Sequence, residues 1–282
     1  MTCFTNLRFI KALTLIAVLA SSLLSLSASA ESLLQIIPTR VVLEQQRSTT
    51  LTVINRSDED NSFRLFFRNI RAEDNGGFTV IAEGDEVQEG ELFSDAMIRF
   101  SPRRVVIPAR SKQQVRVVVR KPKGLADGEY RSHLVFRKLP KQASVLDETE
   151  EEEGLSFSIT PIVEVTIPVI VRHGALTAQA SLDNLALVND EDEGEQLTLQ
   201  ISRDGNRSLY GEVNVWWMPN NGEKQRVSTA KGVAVYSPNT LRNMTLNLTA
   251  EPPMTGAGKL QAVFNEDPAY GGELNAEAFI ER

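Results

Sequence analysis

The chain has 282 residues, 41% of them hydrophobic, with 30 basic and 37 acidic side chains and a formal net charge of −7. That acidic balance excludes a general nucleic-acid binder, which needs a positive surface to displace counterions from phosphates. A single cysteine, Cys3, excludes a disulfide framework, and His133 and His173, the only histidines, are too few for a zinc or copper centre, so neither metal nor cofactor is expected.

In chain order, residues 1–30 read as a secretory signal that is removed. Arg8 and Lys11 supply the positive start, 12–26 the apolar stretch, and Ala28-Ser29-Ala30 the small residues of a cleavage site before Glu31. The apolar stretch is short for a membrane span, and no span is expected in the mature chain, residues 31–282. Losing Arg8 and Lys11 takes the charge from −7 to −9.

From there the pattern is β nearly throughout. Alternation predicts strands over 33–37, 48–55, 63–70, 78–81, 97–100, 113–120 and 130–137, followed by a long one over 155–171. Turn signals such as Asp74-Asn75-Gly76-Gly77, Pro108-Ala109-Arg110-Ser111 and Asp127-Gly128 separate them. Strands of this number and spacing describe an immunoglobulin-like sandwich, with Tyr130 placed for a tyrosine corner. A boundary near Arg172-His173-Gly174-Ala175 gives a first domain over 31–172 and a smaller one over 173–282. The second repeats the pattern with strands over 176–187, 196–203, 209–218, 232–236, 242–249, 259–264 and 274–280. The expected fold class is therefore all-β, two immunoglobulin-like β-sandwich domains in tandem.

The predicted strand over 155–171 stands apart. Leu155, Phe157, Ile159, Pro161, Val163, Val165, Ile167, Val169 and Val171 form one alternating apolar row, while Ser156, Ser158, Thr160, Glu164, Thr166 and Arg172 hold the other face. Globular strands average about 5–6 residues, so a row this long is expected to overhang its own domain and enter another protein. The acidic segment 147–153 before it keeps that end solvated. Other conspicuous features read blandly. The basic residues Arg99, Arg103, Arg104, Arg110, Lys112, Arg116, Arg120, Lys121 and Lys123 have strand periodicity and no interleaved aromatics, as on a solvated face. No Gly-x-Ser-x-Gly elbow and no phosphate-cradling glycine loop occur, so no catalytic residue and no enzyme activity are expected.

Four stretches resemble the periplasmic pilus-assembly chaperones of the chaperone–usher family. They are Ile37-Pro38-Thr39-Arg40-Val41-Val42-Leu43, read as that family's first strand; Ile98 to Pro108 followed by Gln113-Gln114-Val115-Arg116-Val117; Asp127-Gly128-Glu129-Tyr130-Arg131 running on to Leu139-Pro140; and the long strand after its acidic loop. The resemblance implies a periplasmic chaperone that completes an unfinished pilus or fimbrial subunit with its own strand, with an outer-membrane usher as a possible further partner. It implies Arg40 as the anchor for the subunit's terminal carboxylate, and Phe157, Ile159, Pro161 and Val163 as the donor residues. Read without the resemblance, Arg40 could equally pair with a local carboxylate. The chain departs from the family pattern at Pro168, where a second anchoring lysine is expected, and at Val135 and Phe136, where an asparagine is usual. Two other readings stay open at this level. One is a self-associating structural surface protein whose exposed strands pair with one another. The other is a carbohydrate- or lipid-binding sandwich using Trp216 and Trp217.

Overall fold

The computed structural model describes residues 34–140, 161–270 and 272–282. Among the described residues eleven strands precede the turn at Gly174: β1 (Leu34–Ile37), β2 (Val41–Leu43), β3 (Ser48–Asn55), β4 (Asn61–Arg68), β5 (Ile70–Ala72), β6 (Phe78–Val80), β7 (Ile98–Ser101), β8 (Arg104–Ile107), β9 (Lys112–Val119), β10 (Gly128–Lys138) and β11 (Glu164–His173). One sheet runs β1-β3-β9-β7 and the other β2-β11-β10-β4-β8, while β5 and β6 form a separate hairpin. Alternate residues from both sheets close a single core around Leu51, Val53, Ile107, Val117, Leu134, Phe136, Val169 and Val171. Each such side chain contributes roughly 1.5–3 kcal/mol by leaving water, so the core holds this sandwich without a cross-link. The Tyr130 hydroxyl donates to the Ala126 carbonyl at 3.0 Å, forming the tyrosine corner that fastens the entry to β10.

The second sandwich uses β12 (Ala178–Asp190), β13 (Gly194–Gly205), β14 (Leu209–Pro219), β15 (Gln225–Val235), β16 (Leu241–Asn247), β17 (Gly258–Glu266) and β18 (Asn275–Glu281). A sheet ordered β12-β13-β16 packs on one ordered β15-β14-β17-β18 around Leu197, Ile201, Leu209, Val213, Val215, Leu260 and Phe264. Trp217 lies in that core, whereas Trp216 faces outward beneath Lys224, whose Nζ is 4.7 Å from its ring centroid. Among the described residues the only helical pieces are 3₁₀ turns at Asp95–Met97 and Pro268–Tyr270, and no helix is long and apolar enough to cross a membrane.

Several boundaries depart from the alternation pattern. The stretch 37–43, read as one first strand, is two. Proline at 38 cannot continue a ladder through its nitrogen, and the chain changes sheets there, with β1 pairing β3 and β2 pairing β11. The expected strand over 63–70 breaks at Asn69, freeing β5 to turn away with β6. The short β8 was hidden by the charged Arg103-Arg104 pair that opens it. The expected strand 232–236 begins earlier, at Gln225, and excludes Tyr236. The long strand expected over 155–171 is a strand only from Glu164 onward within the described residues, and it runs on to His173. Residues 161–163 are exposed and precede the strand, although the Val163 carbonyl still accepts from the Lys138 amide at 2.9 Å; Pro161 has no amide to give a ladder. Phe157 and Ile159 lie outside the described residues.

Candidate functional site, a cation-lined cleft beside an open strand edge

Two features of the five-stranded sheet meet at one place. The first is an edge. β11 pairs with β10 along its whole length, from Glu164 opposite Arg137 to His173 opposite Gly128. On its other side β2 covers only Val169, Ile170 and Val171, in parallel register with Val41, Val42 and Leu43. Among the described residues, no strand therefore pairs with that side of β11 from Glu164 to Pro168. Backbone amides and carbonyls left this way form a template for another strand.

The apolar row of β11 leaves the core along this edge. Val171 and Val169 are fully buried, Ile167 is 3% exposed, Val165 packs only partly, Val163 is 38% exposed and Pro161 lies open to solvent. Ile162, on the opposite face, is 67% exposed.

The second feature is a set of buried cations where the open edge ends. Arg40 immediately precedes β2, which continues the parallel register to bring it level with Pro168; His133 stands opposite Pro168 on the other side. Alternation along β10 places Glu129 and Arg131 on the same face as His133, and Ile170 stands opposite Arg131. This face is covered by the second sandwich and by the β5–β6 hairpin: Ala72, Ile170, Ala234 and Tyr236 form a small buried cluster with Val42 and Tyr210 against it.

Arg40 is 3% exposed. Its Nη2 donates to the Tyr236 hydroxyl at 2.5 Å, and its guanidinium carbon lies 3.9 Å from the Tyr210 ring centroid, 5.0 Å from that of Tyr236 and 5.8 Å from that of Tyr270. Aromatic faces offset part of the cost of taking this charge out of water. Its Nε has no acceptor. Among the described residues Arg40 thus makes no pair with a local carboxylate.

Arg131 is also buried, with its guanidinium carbon 4.0 Å from the Tyr236 ring centroid. Its Nη2 donates to the Ile70 carbonyl at 3.3 Å and its Nη1 has no acceptor. Burial pulls its pKa below the ordinary guanidinium value, though the group remains charged at any working pH. His133 stands beside them uncharged. Burial first, then the charges of Arg131 and Arg40, push its pKa down to about 3, and its Nδ1 has no partner.

A neutral, buried His133 makes the fold sensitive to acid. The unfolded chain binds the imidazole proton below its ordinary value of 6.5, while the folded chain resists it down to about 3. Stability is therefore retained above pH 6.5 and lost as pH falls through that window. Urea unfolding compared at about pH 7 and about pH 4.5 should show a loss on the order of 2–3 kcal/mol from this residue, and His133→Gln should remove that part of the difference.

A second buried network ties the two sandwiches together beside this cleft. Glu129 accepts from Arg172 Nε at 3.0 Å and from the Ser208 hydroxyl. Arg172 Nη1 in turn donates to the Tyr270 carbonyl at 2.8 Å, and the Ser237 amide donates to Ser208 Oγ at 3.0 Å. The relay thus fixes the tyrosine-bearing segments of the second sandwich over Arg40. The hairpin is fastened separately: Asn239 Nδ2 donates to the Ala72 carbonyl at 2.9 Å and to Asp74 Oδ1 at 3.0 Å. Phe78 on the hairpin places its ring 6.1 Å from those of both His133 and Tyr236.

Of the residues singled out from sequence, Arg40 lies in the cleft, while Pro161 and Val163 lie where the apolar row emerges. Sequence reasoning missed Arg131, His133 and Tyr236. The first two carried a signal, since Glu129, Arg131 and His133 put three ionisable groups on alternate positions of a strand buried on both faces. Tyr236 carried none, because its pairing with Arg40 spans the two sandwiches.

No family model matches the chain, and no curated protein matches it. Solved structures of similar fold include a chaperone–tip adhesin complex of CFA/I fimbriae biogenesis, at 13% identity and a TM-score of 0.45, covering 88% of this chain and 98% of that one. The CsuC–CsuE chaperone–tip adhesion subunit complex of the archaic Csu pili of Acinetobacter baumannii aligns at 15% identity and a TM-score of 0.43, covering 88% and 97%. The Salmonella enterica SafA pilin–SafB chaperone complex aligns at 16% identity and a TM-score of 0.40, covering 88% and 96%.

Proposed function

We propose that this protein is a periplasmic chaperone for pilus or fimbrial subunits, acting by donor-strand complementation. The observation that carries the reading is the apolar row of β11, which leaves its own core along an unpaired edge and stops beside a buried arginine. A partner strand laid on the open edge from Glu164 to Pro168 meets the start of β2 and Arg40 at its end. A guanidinium there suits a terminal carboxylate, so the partner strand ends at its C-terminus and runs parallel to β11, in line with β2. Ladder hydrogen bonds supply affinity, and the emerging row, continuing from Val163 through Pro161 to Ile159 and Phe157, supplies side chains for the partner's unfinished core. An edge serving only to join copies of the same chain has no use for an unpaired arginine at its end, which favours a carboxylate-bearing client over self-polymerisation. The usher and the export signal over 1–30 belong to the same proposal.

The test is recovery of a partner from the native periplasm with the tagged mature protein, followed by face-specific substitution. One dominant exported partner of subunit size is expected. Val163→Asp places a charge on the inserting face and should sharply reduce recovery, whereas Ile162→Asp, on the opposite face, should leave most of it. Recovery of self-polymer alone, or equal effects of the two substitutions, would overturn the reading.

A further inference from the structure

We infer that Arg131, one strand away from Pro168, is the second cation of the carboxylate site, acting with Arg40 across the Tyr236 ring. The inference rests on the reading of Arg40 as a carboxylate anchor and adds a residue to it. Both guanidinium carbons lie within 5.0 Å of the Tyr236 ring centroid, so the two charges are packed on one aromatic ring. Among the described residues neither forms an ion pair, and each retains one donor without an acceptor, Arg40 Nε and Arg131 Nη1. A buried donor left unsatisfied is costly, more so on a charged group, and such a defect kept on two like charges calls for an acceptor of opposite sign.

One carboxylate meets that need. Its two oxygens offer about four acceptor sites and can bridge two guanidinium groups while cancelling their mutual repulsion. In the unliganded chain the Tyr236 hydroxyl takes the place of one of those oxygens, accepting from Arg40 at 2.5 Å. His133, neutral on the same face, adds a polar atom without adding a third charge. Pro168 has no side-chain charge to offer at the position where a lysine is expected. Arg131 stands opposite Ile170 on β11, and Ile170 packs in the same buried cluster as Tyr236, so Arg131 lies beside the cleft. The ligand class is a chain-terminal carboxylate on an extended segment.

The experiment measures binding of the full mature protein to a short peptide of alternating valine and threonine with a free C-terminal carboxylate, and to the same peptide amidated. The wild-type protein should prefer the carboxylate. Arg131→Gln should lower that preference roughly 10- to 100-fold, the effect of losing a charge-assisted hydrogen bond, without weakening the amide. A merely structural role would weaken both peptides alike and would overturn the inference. Arg131→Lys, which keeps a cation in the cleft, should retain part of the preference and covers the case in which glutamine unsettles the packing. A preference unchanged in both variants but abolished by Arg40→Ala would sink the role of Arg131 and leave the anchor standing. No preference in the wild-type protein would sink both.

Discussion

Arg40→Ala should abolish recovery of the partner while the protein stays folded. The two halves of this result have separate causes. In the unliganded protein Arg40 is a buried cation with one donor unmet, so its removal relieves a desolvation cost even as it forfeits contacts with three tyrosine rings. In the proposed complex the same guanidinium pairs with a carboxylate. Truncating one member of a buried, hydrogen-bonded charge pair costs about 2–5 kcal/mol, or roughly 30- to more than 1,000-fold in affinity. Circular dichroism should report an unchanged β spectrum, and pull-down should report loss of the partner. A variant that recovers its partner as the wild type does would remove Arg40 from the site.

Glu129→Ala should produce the opposite pattern, a large loss of stability. The Glu129 and Arg172 side chains are 1% and 6% exposed and 3.0 Å apart, and Glu129 also accepts from Ser208 on the second sandwich. Removing the acid strands the Arg172 charge in the interior, which costs about 3–5 kcal/mol. Glu129→Gln keeps the shape and one acceptor oxygen and should cost less. Thermal unfolding followed at low salt and at high salt tests the assignment, because a pair buried this deeply is screened little. A loss below 1 kcal/mol, or one that vanishes in salt, would show that the relay does not hold the sandwiches together.

Most strands are legible in the sequence because each sandwich buries one face of each sheet, and period two survives wherever only one face is buried. Ser48–Asn55 shows this, with buried residues on alternate positions from Leu51 to Asn55. Legibility fails where pairing rather than burial makes the strand. β2 is three residues long and exists because β11 offers it a parallel edge; its sequence alone joins it to β1. β6 is legible at 78–81, but β5 fails for a different reason, since the expected strand over 63–70 runs past Arg68, where pairing with β10 ends, and hides the break at Asn69. The site divides in the same way. Arg40 is visible because a short motif surrounds it, and Val163 because it belongs to a long row. Arg131 and His133 look like the wet side of an ordinary strand until Tyr236 is seen to cover them. No local pattern encodes that cover, because the groups involved are about a hundred residues apart in sequence.

The tyrosine that covers the arginines has a consequence for selectivity. Free carboxylates and phosphates in solution meet a cleft whose acceptor position is already filled from within, beneath a hairpin fastened by Asn239. To take the Arg40 Nη2 donor, such an anion has to displace Tyr236 with only its own charge to do so. A polypeptide terminus arrives attached to a strand, and every ladder bond formed along the edge from Glu164 to Pro168 adds free energy to the exchange. In the proposed function the cleft works as a coincidence gate that opens to an extended chain and a chain end together, and to neither of them alone.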